Sequence, residues 1–429
     1  MAKATRIPLG REPGQCRIEI PERVSVELAS LAGKVKEGLL AFAVGVGLEV
    51  FRTLLEEDVT RFAGPKGKHN PESRTAYRHG DEASSVVLGG RKVAVARPRV
   101  RRVVHGEIAL PTWAAFAGEE LLSDQVMASV LAGVSTRSYK RALEPVGSDL
   151  AASATSRSAV SRRFIARTTS ALAELMAKDL TGLAICAIFA DGIEEADHTM
   201  VCALGLDIQG RKHLLGLVEG SSENKAVCCS LFAGLVERGL DFSGGILLVI
   251  DGGKGLRSAA REVFGAHGLI HRCRAHKRRN VIDHLPKEVQ PQVARKLDAA
   301  WAKEDPDKAL AALKAMASSL EVDHPGAAAS LREGIEETLT ISRLAVPPSL
   351  LRTLSTTNPI ESAFSVARTT MRNVKRWRSG TMVVRWTAAG MEVAAGKFRR
   401  VKGYRELPIL IERLAAHAAR LSSEADKVA

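Results

Sequence analysis

No apolar run in this chain is long enough to cross a bilayer. The longer runs are broken by charge or glycine well short of the roughly 20 residues a spanning helix needs. The opening stretch, MAKATRIPLGREPGQ, lacks the apolar core of a secretory signal. These two absences predict a cytoplasmic protein. Paired-cysteine motifs are missing as well. Cys16, Cys186, Cys202, Cys228, Cys229 and Cys273 include one adjacent pair and no C-x-x-C, which predicts thiols in a reducing compartment rather than a disulfide framework. No internal repeat and no long low-complexity tract occurs. A phosphate-cradling P-loop is also lacking: Lys254 follows two glycines, but the spacing is wrong and Gly255 stands where a hydroxyl is required.

What is present is basic charge on a globular composition. The chain has 429 residues, 45% hydrophobic and 26% charged, enough for two or more domains with a sizeable core. Lys and Arg number 62 against 48 Asp and Glu, a net charge of +14. That surplus suits a polyanion such as nucleic acid; a merely basic protein has the same composition.

The pattern along the chain predicts a mixed α/β fold. Residues 1–72 read as helical, with apolar residues dense from Val24 to Leu55, and GPKGKHNPES (64–73) reads as a loop. VVLGGRKVAVARPRV places a Gly-Gly turn between two β-rich runs, a hairpin signal. Arg97, Arg99 and Arg101, spaced by two, share one strand face beside Arg102. They are candidates for a DNA backbone contact, and an ordinary solvated edge strand explains them equally. Ser123 is a predicted N-cap for a helix ending at Gly133, Ser135 for a second, and Ser156 for a third. Short helix, glycine turn and short helix form a helix-turn-helix outline. The third helix carries Arg157, Ser158, Ser161, Arg162, Arg163 and Arg167 near its start, where phosphates or base edges are read in such motifs. Many helical hairpins bind nothing.

From residue 184 the texture becomes β-β-β-α-β-α-β: AICAIFAD (184–191), TMVCALGLDI (199–208), RKHLLGLVEG (211–220), a helix 224–238, ILLVID (246–251), a helix over GLRSAAREVFG, and GLIHRC (268–273). Three strands can pair antiparallel, and crossovers then add parallel ones. Residues 277–344 read as an all-α insertion, and STTNPIESAFSVARTTMRNVKRW (355–377) as a helix. The implied domains are a helical N-terminal region over 1–75, a small β element over 76–118 and a helix-turn-helix-like region over 119–180. A core follows in two parts, 181–281 and 351–405, split by an all-α insertion over 282–350; residues 406–429 form a terminal helix or tail.

Three carboxylates stand out. Asp191 and Asp251 each follow an apolar strand and each precede a glycine. A turn cap explains either one alone; if their strands are neighbours, the two meet at one rim. Glu361 is the third. Asn358, Pro359 and Glu361 fit N-cap, N1 and N3, so Glu361 is either the end of a capping box or a ligand aimed at the aspartates. Ile360, Phe364, Ala367 and Met371 form the apolar stripe of its helix, with Ser365, Arg368, Arg372 and Lys375 beside Glu361 on the other face. Phosphodiester cleavage has a use for such a trio, because divalent ions held by carboxylates activate the nucleophile and stabilise the leaving oxygen.

Taken in order, YRHG (77–80), PRVRR (98–102), LAGVSTRSY (131–139), SRSAVSRRF (156–164), ADGIE (190–194), GRKHLLGLVEGSSEN (210–224), VIDGGKGLRSA (249–259), HRCRAHKRRNV (271–281) and TTNPIESAFSVARTTMR (356–372) are spread along most of the chain. Together they resemble the Mutator-type bacterial insertion-sequence transposases, whose DDE core is ribonuclease-H-like and carries a helical insertion. The resemblance implies that Asp191, Asp251 and Glu361 are the catalytic, metal-binding triad, with two Mg²⁺ ions or Mn²⁺ in their place. It implies that Cys273 and His276 are the family's C-x-x-H pair, structural or shaping the active site. Zinc is not expected there, since two ligands are short of the four a closed tetrahedral site takes. Lys277, Arg278, Arg279 and Asn280 are implied DNA contacts near the cut, alongside Arg368 and Arg372. Trp301 is a candidate for stacking a flipped base, or a packing residue of the insertion. The segment SAFSVARTTMR departs from the commoner pattern, which has asparagine soon after the glutamate.

The implied activity is transposition. The N-terminal region would bind the terminal inverted repeats of double-stranded DNA, water would free a 3′-hydroxyl, and that hydroxyl would attack target DNA. Two ends imply a homodimer or higher oligomer acting on the bacterial nucleoid. Two rivals stay open: a DNA-binding protein without catalysis, and a ribonuclease-H-like nuclease without strand transfer.

Overall fold

A computed structural model of the chain describes residues 39–67, 75–88, 90–116, 120–143, 152–153, 155–195, 197–220 and 224–428. Cys16 and most of the expected N-terminal helical region lie outside these residues. Two compact units divide the chain, Met1–Arg167 and Thr168–Ala429.

In the first unit helix α1 (Leu39–Ala63) precedes a hairpin of β1 (Ala76–Leu88) and β2 (Arg91–Arg102). The strands pair antiparallel from Leu88↔Arg91 outward, across the expected Gly-Gly turn. Alternation buries Val93 and Val95 while Ala94 and Ala96 face solvent, and Leu48, Phe51, Leu55 and Val59 of α1 cover that face. Short strand β3 (Glu107–Ile108) adds to β2 and brings Glu107 to the arginines: Arg97 Nη2 donates to Glu107 Oε1 at 3.0 Å and Arg99 Nη2 to Oε2 at 2.7 Å.

Helices α2 (Pro111–Phe116) and α3 (Glu120–Leu131) follow. Ser123 sits inside α3 rather than at its cap, since the helix already runs from Glu120. The second helix of the expected motif is short, α4 (Tyr139–Ala142), and strand β4 (Ala152–Ser153) pairs with β2. Helix α5 (Arg157–Ala177) begins as expected, with Ala159 N donating to Ser156 Oγ at 3.3 Å.

The second unit is built on a five-stranded mixed sheet. Its strands are β5 (Ile185–Glu195), β6 (His198–Asp207), β7 (Lys212–Gly220), β8 (Ile246–Ile250) and β9 (Gly268–Arg272), in the order β7-β6-β5-β8-β9. The first three pair antiparallel, and β8 and β9 run parallel to β5. Helices α6 (Lys225–Glu237) and α7 (Lys254–Phe264) make the crossovers. Asn224 caps α6 by accepting from Val227 N at 3.0 Å, and Gly239 turns the chain out at φ +90°.

These helices cover one sheet face. Leu231, Phe232, Leu256 and Phe264 pack on Ile188, Ala190, Leu248 and Ile250. The opposite face takes α14 (Asn358–Met371) and α15 (Gly380–Ala395). With both faces covered, β5 and β8 are continuously apolar rather than alternating.

Between β9 and α14 lie α8 (Arg274–Ile282), α9 (Gln290–Trp301), α10 (Pro306–Leu320), α11 (Pro325–Arg332), α12 (Thr340–Arg343) and α13 (Pro348–Leu354); α16 (Leu407–Val428) closes the chain. The insertion has its own core, from Val281 through Leu313 to Leu339. Trp301 belongs to that core. It is 6% exposed, its Nε1 donates to Thr338 Oγ1 at 3.1 Å, and Arg274 lies over its ring at 6.0 Å. It is a packing residue, not an open platform for a base. Among the described residues no helix is long and apolar enough to cross a membrane.

Lys277 likewise departs from the expected DNA contact. It is fully buried, its Nζ donates to the carbonyls of Ser330 and Glu333, and burial, helped by Arg272 nearby, pushes its pKa down to about 8. Buried Arg272 and Arg274 do similar work. Arg272 holds Glu333 at 2.8 Å, and Arg274 holds Thr338 O at 2.9 Å and Ser342 Oγ at 2.7 Å. Together they tie the last strand to the insertion. Lys277→Ala is therefore expected to destabilise the protein by about 3–5 kcal/mol in chemical unfolding, as removal of one partner of a buried charged set does. Unchanged stability with weaker DNA binding would return Lys277 to the DNA surface.

Candidate metal centre

The sheet register brings two of the three carboxylates together. Ala190↔Ile250 is the last parallel pair between β5 and β8, and Asp191 and Asp251 are the next residues on each strand. Asp191 does not end its strand. It continues to Glu195, because β6 goes on pairing with it after β8 has turned away. Alternation sets Asp191 on the face opposite Ile188 and Ala190, the face that α14 covers.

Asp251 leaves its strand in a turn, with Oδ1 accepting from Gly253 N at 2.8 Å. The turn-cap role is thus real for one oxygen of that carboxylate. Gly252 takes φ +98°, and a Cβ there would stand 2.1 Å from Nε of Arg272. Glycine at this position lets the buried arginine close under the rim.

Asp191 is 6% exposed, and its Oδ1 accepts from Gly192 N at 3.0 Å. Burial pushes its carboxyl up to about 7; the negative charges of Asp251 and Glu361 add to the rise, and His276 opposes it.

Glu361 lies in the first turn of α14. The N-cap is Thr357, one residue earlier than the cap predicted at Asn358. Thr357 Oγ1 donates to Glu361 Oε1 at 2.6 Å, and His276 Nδ1 lies 3.7 Å from the same oxygen. The expected stripe of Ile360, Phe364, Ala367 and Met371 is buried.

Cys273 and His276 stand at the start of α8. Cys273 N donates to Ile250 O at 2.7 Å, which locks the cysteine beside the end of β8. Its buried Sγ accepts from His276 N at 3.4 Å and Thr357 N at 3.3 Å, and Thr357 Oγ1 lies 3.4 Å from it. Burial pushes the thiol up, but the hydrogen bonds from His276 and Thr357 outweigh it and leave the pKa below the ordinary thiol value. A side-chain hydrogen bond from the imidazole to the Cys273 sulfur raises His276 to about 9 against its burial, with the charges of Cys273 and Asp191 helping. The ligand atoms of Cys273, His276 and Glu361 all lie within 4.8 Å of one another. Thr357, which touches all three, escaped the sequence reading; the misplaced N-cap hid it.

Of the expected DNA contacts, Arg102, Arg157, Arg162, Arg278, Arg279, Asn280, Arg368 and Arg372 are exposed. Arg101 and Arg163 are half-buried, and Arg278 Nε approaches Asp298 Oδ1 at 3.4 Å.

Residues 27–392 match the family described as "Transposase, Mutator family". The chain belongs to that family. "Transposase for insertion sequence element ISRM5" of Rhizobium meliloti (strain 1021) is 28% identical over 337 residues, 76% of this chain and 82% of that protein. "Transposase for insertion sequence element IS1081" of Mycobacterium tuberculosis is 26% identical over 360 residues, 80% of each chain. "Transposase for insertion sequence element IS6120" of Mycolicibacterium smegmatis is 28% identical over 251 residues, 57% of this chain and 76% of that protein. A Mutator-family transposase acts on DNA, which accounts for the basic surplus.

The raised Asp191 pKa has a stability consequence. A carboxyl whose folded pKa lies above its unfolded value favours the folded state below the unfolded pKa and loses that contribution as pH rises through the folded value. In the metal-free transposase, Asp191 therefore costs stability between about pH 4 and pH 7 and above. Thermal melts in chelator are expected to show Asp191→Asn gaining at least about 2 °C over the wild type at pH 8, and less at pH 5. An equal gain at both pH values would contradict this.

Proposed function

We propose that this transposase cuts and joins DNA strands at the rim formed by Asp191, Asp251 and Glu361, on a ribonuclease-H-like core. The observation that supports the reading is the register of β5 and β8, whose last pair, Ala190 and Ile250, is followed directly by Asp191 on one chain segment and Asp251 on the other. Burial and the neighbouring negative charges raise the proton affinity of Asp191, which a cation would compensate, and the three side chains offer the oxygen donors that hard cations take. When bound to these oxygens, Mg²⁺ or Mn²⁺ supplies charge stabilisation to the phosphate and acidity to a water.

The chain's own residues do the positioning. The turn at Gly253 aims Asp251, and Thr357 orients Glu361. In this reading Arg279, Asn280, Arg368 and Arg372, all exposed, hold the phosphate backbone. Water attacks phosphorus at the element end, the bond to the 3′-oxygen breaks, and the proton ends on that oxygen as a 3′-hydroxyl. The freed hydroxyl then attacks a target phosphate and displaces another 3′-oxygen. No covalent protein–DNA intermediate forms. The N-terminal region binds the terminal inverted repeats, and a homodimer or higher assembly brings two ends together.

The test uses purified protein with DNA carrying the sequences that flank its gene, in Mg²⁺ or Mn²⁺. Wild type is expected to nick at the element ends and join them to other DNA. Asp251→Asn and Glu361→Gln are expected to bind equally and to cut at least about 100-fold more slowly, a loss of some 2.7 kcal/mol in transition-state stabilisation. Equal binding with no cutting by any protein under either metal would instead favour a DNA binder without catalysis. Nicking without joining would favour a plain nuclease.

A further inference from the structure

We propose that Cys273, His276 and Glu361 form a second metal site, selective for a soft divalent cation of the zinc class, which withdraws Glu361 from the carboxylate rim. The site itself stands on its own geometry; its effect on strand cleavage rests on the catalytic reading of Glu361.

Zinc takes thiolate, imidazole and carboxylate at about 2.0–2.3 Å in tetrahedral array, which sets ligand atoms roughly 3.3–3.8 Å apart. Nδ1 of His276 and Oε1 of Glu361 are 3.7 Å apart, and Sγ of Cys273 completes the group within 4.8 Å. Cys273 and His276, three residues apart in the first turn of α8, present their side chains to one side. Glu361 comes from the first turn of α14. His276 and Glu361 therefore rest on helices, and Cys273 is the N-cap residue that joins β9 to α8.

The surroundings are those of a ligand set. Two backbone N–H groups, from His276 and Thr357, point at the sulfur at 3.4 and 3.3 Å, as donors around a metal-bound thiolate do. Thr357 Oγ1 lies 3.4 Å from Sγ, 3.2 Å from Nδ1 and 2.6 Å from Oε1, and gathers the three as an outer partner. By spacing alone the C-x-x-H pair is two ligands short of zinc. The fold supplies Glu361 as the third and leaves a fourth position for water, the pattern of an open rather than a closed site.

Selectivity follows from the donors. The set of sulfur, nitrogen and oxygen suits zinc, whereas the oxygens of Asp191 and Asp251 suit Mg²⁺. Glu361 is the one residue both sites need. Zinc is therefore an inhibitor of this transposase even when Mg²⁺ is in excess.

Cobalt(II) tests the site, because a cobalt–thiolate bond absorbs in the near ultraviolet and a tetrahedral cobalt ion absorbs strongly in the visible. The full-length wild type is expected to show both signatures at one equivalent and to lose them when zinc is added. Cys273→Ser, checked for folding by circular dichroism, is expected to lose the thiolate band. His276→Gln, which leaves the buried cysteine in place, is expected to weaken zinc binding by more than the roughly 10–100-fold that loss of an outer partner costs. Asp251→Asn is expected to match the wild type. No thiolate band in wild type, a band that survives Cys273→Ser, or a band lost in Asp251→Asn would each overturn the proposal. A cobalt signature with no strand cleavage under any metal keeps the site and removes the catalytic reading. Cleavage without the signature does the reverse.

Discussion

Everything at the rim depends on two neighbouring carboxylates, one of them, Asp191, buried away from water. Parallel pairing of β5 with β8 puts Asp191 and Asp251 at equivalent positions, and the covered sheet buries the first of them. In a low-dielectric setting like charges this close raise proton affinity or call for a cation. The neighbouring elements follow from that constraint. Gly252 lets Arg272 close beneath the turn, Cys273 N anchors α8 to the end of β8, and Thr357 caps α14 and holds Glu361 beside Cys273 and His276.

The basic residues divide into two populations that composition does not separate. Arg272, Arg274 and Lys277 are buried and hold insertion carbonyls and Glu333. Arg278, Arg279 and Asn280, only one to three residues further along the same helix, are exposed. Helical geometry alone produces the split, since successive residues turn about 100° and one face of α8 meets the insertion. In the first unit, Arg97 and Arg99 spend part of their charge on Glu107, while Arg102 is open to solvent.

Much of this was legible from the residues. The order of strands, the pairing of β1 with β2 and the apolar stripe of α14 follow from periodicity, and strand-end chemistry picks out Asp191 and Asp251, which the pairing of β5 with β8 then makes neighbours. What escaped depends on partners distant in sequence. Nothing local marks Lys277 as buried, because Ser330 and Glu333, which receive its protons, lie in another helix and the turn after it. Trp301 reads the same whether it faces a base or Thr338. Asp191 looks like a strand end because its own run turns polar there, while β6 carries the pairing four residues further. Thr357 has no local signal of its own, because Asn358 before a proline is the stronger cap signal.

The central claim is that Asp191, Asp251 and Glu361 hold a divalent ion. Iron(II) in place of Mg²⁺, with ascorbate and peroxide, releases hydroxyl radicals at the bound ion and cuts the nearest polypeptide. Mapping those cuts in the full-length protein tests the claim most directly. The expected result is backbone cleavage around residues 191, 251 and 361, suppressed by competing Mg²⁺. Absence of localised cleavage, or cleavage that spares the segments around Asp191 and Asp251, would contradict it.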